Sequence, residues 1–318
     1  MTQRIHIGTV GLGLMGSSIT TCILAAGHPV TALTDQPDKA PEARKRILTY
    51  LHELNREGML QDSPELIMER LTITNDPQLL STLPVVIESI TENVTEKKKL
   101  YQQLETVLDK NAIIGSNTSA IPVSILQEGL QHPHRVFGIH WAEPAHITRF
   151  MEVICGDKSD PALATIIIRL AESWGKEPSL LKKDIRGFIT NRIMYAMLRE
   201  AFYLVENGYA TVEDVDRSLR NDLGYWITFA GPFRFMDITG IPAYYTVMKD
   251  LFPELSNATE PPSSMKTLVA DGAKGLSNAK GFYPYTEESA RKWEELFVEF
   301  SYEIRKLAEK YPQNIGDK

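Results

Sequence analysis

Along the first half of the chain, short runs of β-branched and aliphatic residues alternate with stretches whose apolar positions recur at helical spacing. The runs Arg4–Val10, Val30–Leu33, Val85–Ile90, Ala112–Gly115, Val136–Trp141 and Met151–Cys155 read as strands. Ser17–Ala26 reads as a short helix stopped by Gly27. A charged helical pair, about Ala40–Asn55 and Pro64–Arg70, reads as a hairpin inserted after the second strand, with Ser63-Pro64 as a helix start. This alternation predicts an α/β domain built on a mostly parallel sheet. Strand signals fade from Gly187 onward. Helical patterns follow over Phe188–Asn207, after the capping pattern Thr211-Val212-Glu213-Asp214, and after Thr286. The last of these carries Ala290, Trp293, Leu296, Phe297, Phe300, Ile304 and Leu307 at helical spacing, a stripe that reads as core or as a dimer contact. The expected division is an α/β domain over 1–185 and an all-α C-terminal domain over 186–318.

Composition narrows the function classes. The 318 residues are 43% hydrophobic and 24% charged, with a net charge of -7. That balance fits a globular protein and argues against a nucleic-acid binder, which shows a basic face. No apolar run reaches the ~18 residues of a membrane span, and the N-terminus has no apolar run of signal-peptide length before a small-residue cleavage site. Two cysteines make neither a disulfide framework nor a zinc site of their own, so no metal and a reducing, cytoplasmic compartment are expected.

The first candidate chemistry is the turn Gly11-Leu12-Gly13-Leu14-Met15-Gly16, between the first strand and the first helix. Gly11 allows the tight turn, Gly13 the approach of a diphosphate to the backbone, and Gly16 close packing of helix on strand. The helix start, at Leu14 and Met15, offers free N–H groups to the phosphates. Asp35 lies 19 positions after Gly16, past the second strand. A carboxylate there bonds ribose hydroxyls and repels a 2′-phosphate, and no arginine follows within a few residues. The expected cofactor is NAD in a Rossmann-type domain.

Several further segments occur in order. These are Glu88-Ser89-Ile90-Thr91-Glu92 followed by Lys97, Ser116-Asn117-Thr118-Ser119, Gly138-Ile139-His140-Trp141-Ala142-Glu143-Pro144, and Phe150-Met151-Glu152-Val153-Ile154. Gly187-Phe188-Ile189-Thr190-Asn191-Arg192, Gly231-Pro232-Phe233, Asp237-Ile238-Thr239-Gly240 and Gly281-Phe282-Tyr283-Pro284-Tyr285 complete the set. Together they resemble the 3-hydroxyacyl-CoA dehydrogenase family across nearly the whole chain. The resemblance implies NAD-dependent oxidation of a 3-hydroxyacyl-CoA in fatty acid metabolism by a homodimer that dimerises through its helical domain. It implies His140 as base, Glu152 as its orienting partner, and Ser119 and Asn191 as contacts to the substrate hydroxyl and carbonyl. It places Glu92, Lys97 and Asn117 at the nicotinamide half of the cofactor or at the substrate.

The residues themselves support part of this. Oxidising a secondary alcohol needs a base, and imidazole suits both directions near neutral pH. A carboxylate on the apolar run Phe150–Ile154 is costly unless paired. Ser119 also reads as a helix cap, Asn191 as a capping or packing residue, Lys97 as part of a solvated helix face, and Trp226 as core or pocket lining. An acyl-CoA needs cations for its phosphates. Lys39, Arg44, Lys45 and Arg46 are candidates, and a solvated helix face explains them as well.

Two departures mark the chain. The family usually has Asn where Glu143 stands; an acid there disfavours an anionic group, or pairs with Arg149. The segment Gly224–Gly231 looks more like that of carnitine and gulonate dehydrogenases. The rival substrates are therefore a free hydroxy acid or carnitine. The 3-hydroxyisobutyrate type is set aside, because its lysine segment is missing. A non-catalytic, crystallin-like NAD binder is opposed by His140, Glu152, Ser119 and Asn191 standing together.

Overall fold

The computed structural model describes residues 4–311. The chain divides into two compact units, residues 1–192 and 193–318. In the first unit eight strands form one sheet: β1 (Ile7–Val10), β2 (Val30–Leu33), β3 (Leu71–Thr74), β4 (Val85–Glu88), β5 (Ile113–Ser116), β6 (Val136–Trp141), β7 (Phe150–Cys155) and β8 (Glu177–Leu181). Their order is β3-β2-β1-β4-β5-β6-β7-β8. Every neighbouring pair is parallel except β6 and β7. The order reverses between β1 and β4, and the crevice outside the strand ends there is where such sheets bind ligands.

Helices cover both faces of the sheet, as a parallel sheet requires. On one face α1 (Leu14–Ala25), α2 (Ala40–Arg56), α3 (Pro64–Met68) and a helix over Pro161–Ser173 bury Ile19, Ile23, Ile47, Leu51, Ile67 and Ile167 against Ile7, Val85 and Ile87. On the other, α4 (Val94–Val107) and α5 (Val123–Gln127) bury Tyr101, Leu104, Val123 and Leu126 against Val86 and Ile114. The Pro161–Ser173 helix is α6. Val85 and Val86 point to opposite sides, the two-residue period of a strand. The inserted pair α2 and α3 follows β2, where the charged helical pattern placed it, and leads into β3.

The second unit is all helix in its long elements. α7 (Thr190–Glu206) enters it, and α8 (Val212–Asn221), α9 (Leu223–Ile227), α10 (Pro232–Thr239), α11 (Ile241–Leu251), α12 (Ser263–Ala270) and α13 (Glu287–Lys310) follow. The Thr211 side chain caps α8 as its pattern predicts; α13 begins after Thr286, as expected, and the Thr286 side chain caps it. The stripe on α13 is not core: Ala290 is buried, but Trp293, Phe297 and Phe300 are 57%, 58% and 58% exposed. Trp226 is half-buried and stacks on Phe235 at 4.2 Å between centroids.

Candidate active site

The glycine turn follows β1 without interruption. Gly11 adopts φ 89°, which L side chains rarely adopt, and its N–H donates to Leu33 O at 2.9 Å. A Cβ on Gly16 would lie 2.0 Å from Gly11 O, so helix and turn meet where no side chain fits. Gly13 has open space around its Cα hydrogens and serves as N-cap of α1 without a side-chain bond. The first N–H groups of α1 therefore lack intrahelical acceptors and are available to an anion. Beside them opens a cavity of about 550 Å³, lined by Gly11, Gly13, Leu14 and Asp35 among others. Met15 packs its side chain against the core. The bare turn, the helix start and a carboxylate at the end of β2 suit a dinucleotide with a free ribose 2′-hydroxyl, which is NAD.

His140 and Glu152 stand directly opposite each other in the antiparallel pairing of β6 with β7. Cross-strand partners have Cβ atoms close enough to interact, and here His140 Nδ1 meets Glu152 Oε2 at 2.8 Å. His140 is 6% exposed, with its imidazole edge-on to Phe150 and tilted against Phe188. Glu152 Oε1 accepts from Ile189 N at 3.1 Å, Thr190 N at 2.9 Å and Thr190 Oγ1 at 3.2 Å. Burial opposes ionisation of this carboxyl, but the bonds from His140 and Thr190 outweigh it, and the carboxyl titrates below its usual range.

The Thr190 donors are placed by an irregularity the periodicity did not show. Phe188 has φ 53°, an outlier for a bulky residue, and is 1% exposed. It cannot belong to the helix read from Phe188. The helix starts at Thr190, so its first N–H groups face Glu152. The strained residue sits against the histidine, where backbone strain characteristically accumulates.

Ser119 and Asn191 come together: Asn191 Nδ2 donates to Ser119 O at 2.8 Å. Ser119 does not cap the helix after it, because Pro122 is the N-cap of α5. Glu92 Oε1 accepts from Thr118 Oγ1 at 2.5 Å and from Ser119 N at 3.0 Å. Lys97 is wholly buried rather than on a solvated face, with Nζ 2.6 Å from Glu88 and 3.4 Å from Glu92. Asn117 donates to Ser89 Oγ at 2.9 Å and accepts from Trp141 N at 3.2 Å, joining the loops after β4 and β5 to β6.

Sequence reasoning gave no role to Glu88. Its buried carboxylate takes Lys97 Nζ, Ile90 N, Ser116 Oγ and Tyr101 Oη. Burial and the Glu88 charge hold the Tyr101 phenol well above its ordinary range. The signal was present: Glu88 ends an apolar run, the argument applied to Glu152. His146, which had no supporting pattern, is buried with Nδ1 2.7 Å from Ser18 Oγ and its ring stacked on Tyr50. Glu143 is exposed, and Arg149 pairs with Glu177 instead, at 3.4 Å.

Comparison with known proteins gives the site its context. The model of the 3-hydroxyacyl-CoA dehydrogenase NAD-binding domain matches residues 6–185, and that of the family's C-terminal domain matches 187–285. A 5-formyl-3-hydroxy-2-methylpyridine 4-carboxylate 5-dehydrogenase of Mesorhizobium japonicum is 32% identical, over 90% of this chain and 92% of its own. A crystal structure of a 5-dehydrogenase acting on the same pyridine carboxylic acid, described as an NAD+-dependent dismutase, superposes with a TM-score of 0.90 at 30% identity, over 98% of this chain and all of the other. A probable 3-hydroxybutyryl-CoA dehydrogenase of Deinococcus radiodurans is 30% identical, over 87% of this chain and 99% of its own. With both halves matched in order and the glycine turn, Asp35 and the cavity suited to NAD, the chain belongs to the 3-hydroxyacyl-CoA dehydrogenase family and is an NAD-dependent oxidoreductase.

Proposed function

We propose that the chain interconverts a 3-hydroxyacyl-CoA and its 3-oxoacyl-CoA, with His140 as general base and acid. The observation that carries this is the Glu152 carboxylate, buried, bonded by Ile189 and Thr190 on one oxygen and facing His140 Nδ1 on the other. An ionised carboxylate is acceptor-only, so it holds the proton of neutral imidazole on Nδ1. Nε2 is then the basic nitrogen, ready to take the hydroxyl proton as the substrate is oxidised. Bound NAD supplies the hydride acceptor. Glu152 stabilises the imidazolium formed in that step. Ser119 and Asn191 contact the substrate oxygen, and Glu92, Lys97 and Asn117 hold their turn toward the nicotinamide end.

A second substrate reading has its own support. The pyridine carboxylate named for the Mesorhizobium relative carries no thioester. Lys39 and Arg46, two of the four cations available to CoA phosphates, line the dinucleotide cavity instead. The rival substrate is a small free hydroxy acid or carnitine. NAD reduction rates with 3-hydroxybutyryl-CoA and longer 3-hydroxyacyl-CoAs, against free 3-hydroxy acids, carnitine and gulonate, separate the two. Higher kcat/KM for the thioesters is the expected result. Turnover confined to the other compounds establishes the second reading, and turnover of none refutes both.

The chain is further read as a cytoplasmic homodimer, with Cys22 and Cys155 both buried and unpaired. Among the described residues no helix is long and apolar enough to cross a membrane. Large apolar side chains open to water mark a protein interface, and the α13 stripe offers Trp293, Phe297 and Phe300. Light scattering is expected to give twice the 35.8 kDa chain mass, and Phe297→Glu to shift the protein toward the monomer. A wild-type protein of single-chain mass at micromolar concentration defeats this reading.

A further inference from the structure

The inserted helix α2 reaches the glycine turn through one residue. Arg46 Nη1 donates to Leu12 O and to Ser17 Oγ, each at 3.3 Å, tying α2 to the turn and to the first part of α1. Its Nη2 donates to Glu42 Oε1 at 2.8 Å, one helical turn earlier. Glutamate four residues N-terminal to a cation is the favourable orientation for such a pair, so the guanidinium is held from two sides. The Arg46 side chain is 22% exposed and lines the 550 Å³ cavity beside Gly11, Gly13 and Leu14. A guanidinium carries five N–H donors. Arg46 Nε and the second Nη2 hydrogen have no partner among the described residues.

The charges around the cavity make this placement consequential. Asp35, Glu42 and Glu96 line it, and among the described residues Lys39 and Arg46 are its only lining cations. A dinucleotide brings a doubly negative diphosphate into that acidic surround. The helix start offers partial positive charge only. Lys39 closes the turn Pro37–Lys39 just past Asp35, on the ribose side. Arg46 is the cation tied to the glycine turn, where the diphosphate of such cofactors lies.

We infer that Arg46 is a diphosphate-binding residue, supplied from the inserted hairpin to complete the N-terminus of α1. Planar guanidinium donors match phosphate oxygens, and such charge-assisted bonds are about twice as strong as neutral ones. Arg46 thus serves the cofactor rather than the phosphates of an acyl-CoA. This rests on NAD binding alone and stands whichever substrate is turned over.

Two variants separate charge from bracing. Arg46→Gln keeps an N–H donor for Leu12 O and loses the charge. Arg46→Lys keeps the charge and loses the fork. Titration of the substrate-free protein with NADH, followed by nucleotide fluorescence, and competition by ADP-ribose read binding without turnover. The expected result is a Kd about 10- to 100-fold higher in Arg46→Gln for both nucleotides. Arg46→Lys should lie between that variant and the wild type, and added salt should weaken the wild type more than Arg46→Gln. A Kd for Arg46→Gln within about two-fold of wild type, or Arg46→Lys as weak as Arg46→Gln with unaltered salt dependence, overturns the assignment.

Discussion

Replacing His140 by alanine is expected to lower kcat by about 10²- to 10⁴-fold, the usual worth of a positioned general base. The loss should fall on kcat rather than on NADH affinity, because the glycine turn, Asp35 and the cavity are built from other residues. The fold should survive. Removing the ring opens space beside Phe150 and Phe188 and takes one donor from Glu152, whose other oxygen keeps its bonds from Ile189 and Thr190. A buried acceptor left unpaired costs about 1–3 kcal/mol and a carboxylate more, but the donors kept on the other oxygen limit the loss to a drop in melting temperature rather than unfolding. His140→Asn refines the test, since an amide can donate toward Glu152 and cannot act as a base near neutral pH. A similar kcat for both variants, with better stability for the asparagine, locates the loss in the proton transfer. Unchanged turnover in either variant removes His140 from the chemistry.

The parts legible in the sequence were those with strong local patterns. β2 and β6 fall where their apolar runs placed them, Thr211 caps α8, and α13 begins after Thr286. β3 and β8 went unseen because they are the two edges of the sheet. Leu71–Thr74 and Glu177–Leu181 bury only one residue each, so neither shows an apolar run. Pro178 weakens the strand signal of β8 further, and it is tolerated there because an edge accepts a residue without an N–H. The site divides in the same way. The spacing of His140 and Glu152 becomes a contact only because β6 and β7 run antiparallel, and alternation alone predicts a parallel sheet. Lys97 was ambiguous because a charged run looks the same whether one member turns inward or none does. What resolves it is Glu88, 9 positions earlier on another element. Phe188 lay beyond any periodic argument, since its backbone is set by the contacts around it.

Replacing Glu152 by glutamine should be as damaging as losing the histidine, although Glu152 need not touch the substrate. The glutamine oxygen can keep the donors from Ile189 and Thr190. Its amide nitrogen then faces His140 Nδ1, now as a donor. Nδ1 must become the acceptor, the proton moves to Nε2, and the nitrogen meant to receive the substrate proton already holds one. Enforcing the wrong tautomer in a comparable carboxylate–histidine pair lowers kcat by ~10⁴, and a loss of at least 10³-fold is expected here on that basis. Stability against pH supplies an independent readout. The Glu152 carboxyl lies below its usual value of 4.5, because the bonds from His140 and Thr190 outweigh the burial that opposes them. A group whose folded pKa is depressed stabilises the fold fully above its unfolded pKa, and that contribution disappears as pH falls through the folded value. Wild type should therefore lose stability below about pH 4.5 more steeply than Glu152→Gln, in parallel denaturant titrations from neutral pH downward. Equal acid slopes would remove the ionised, multiply bonded carboxylate, and a glutamine variant with wild-type kcat at neutral pH would show that it does not orient His140.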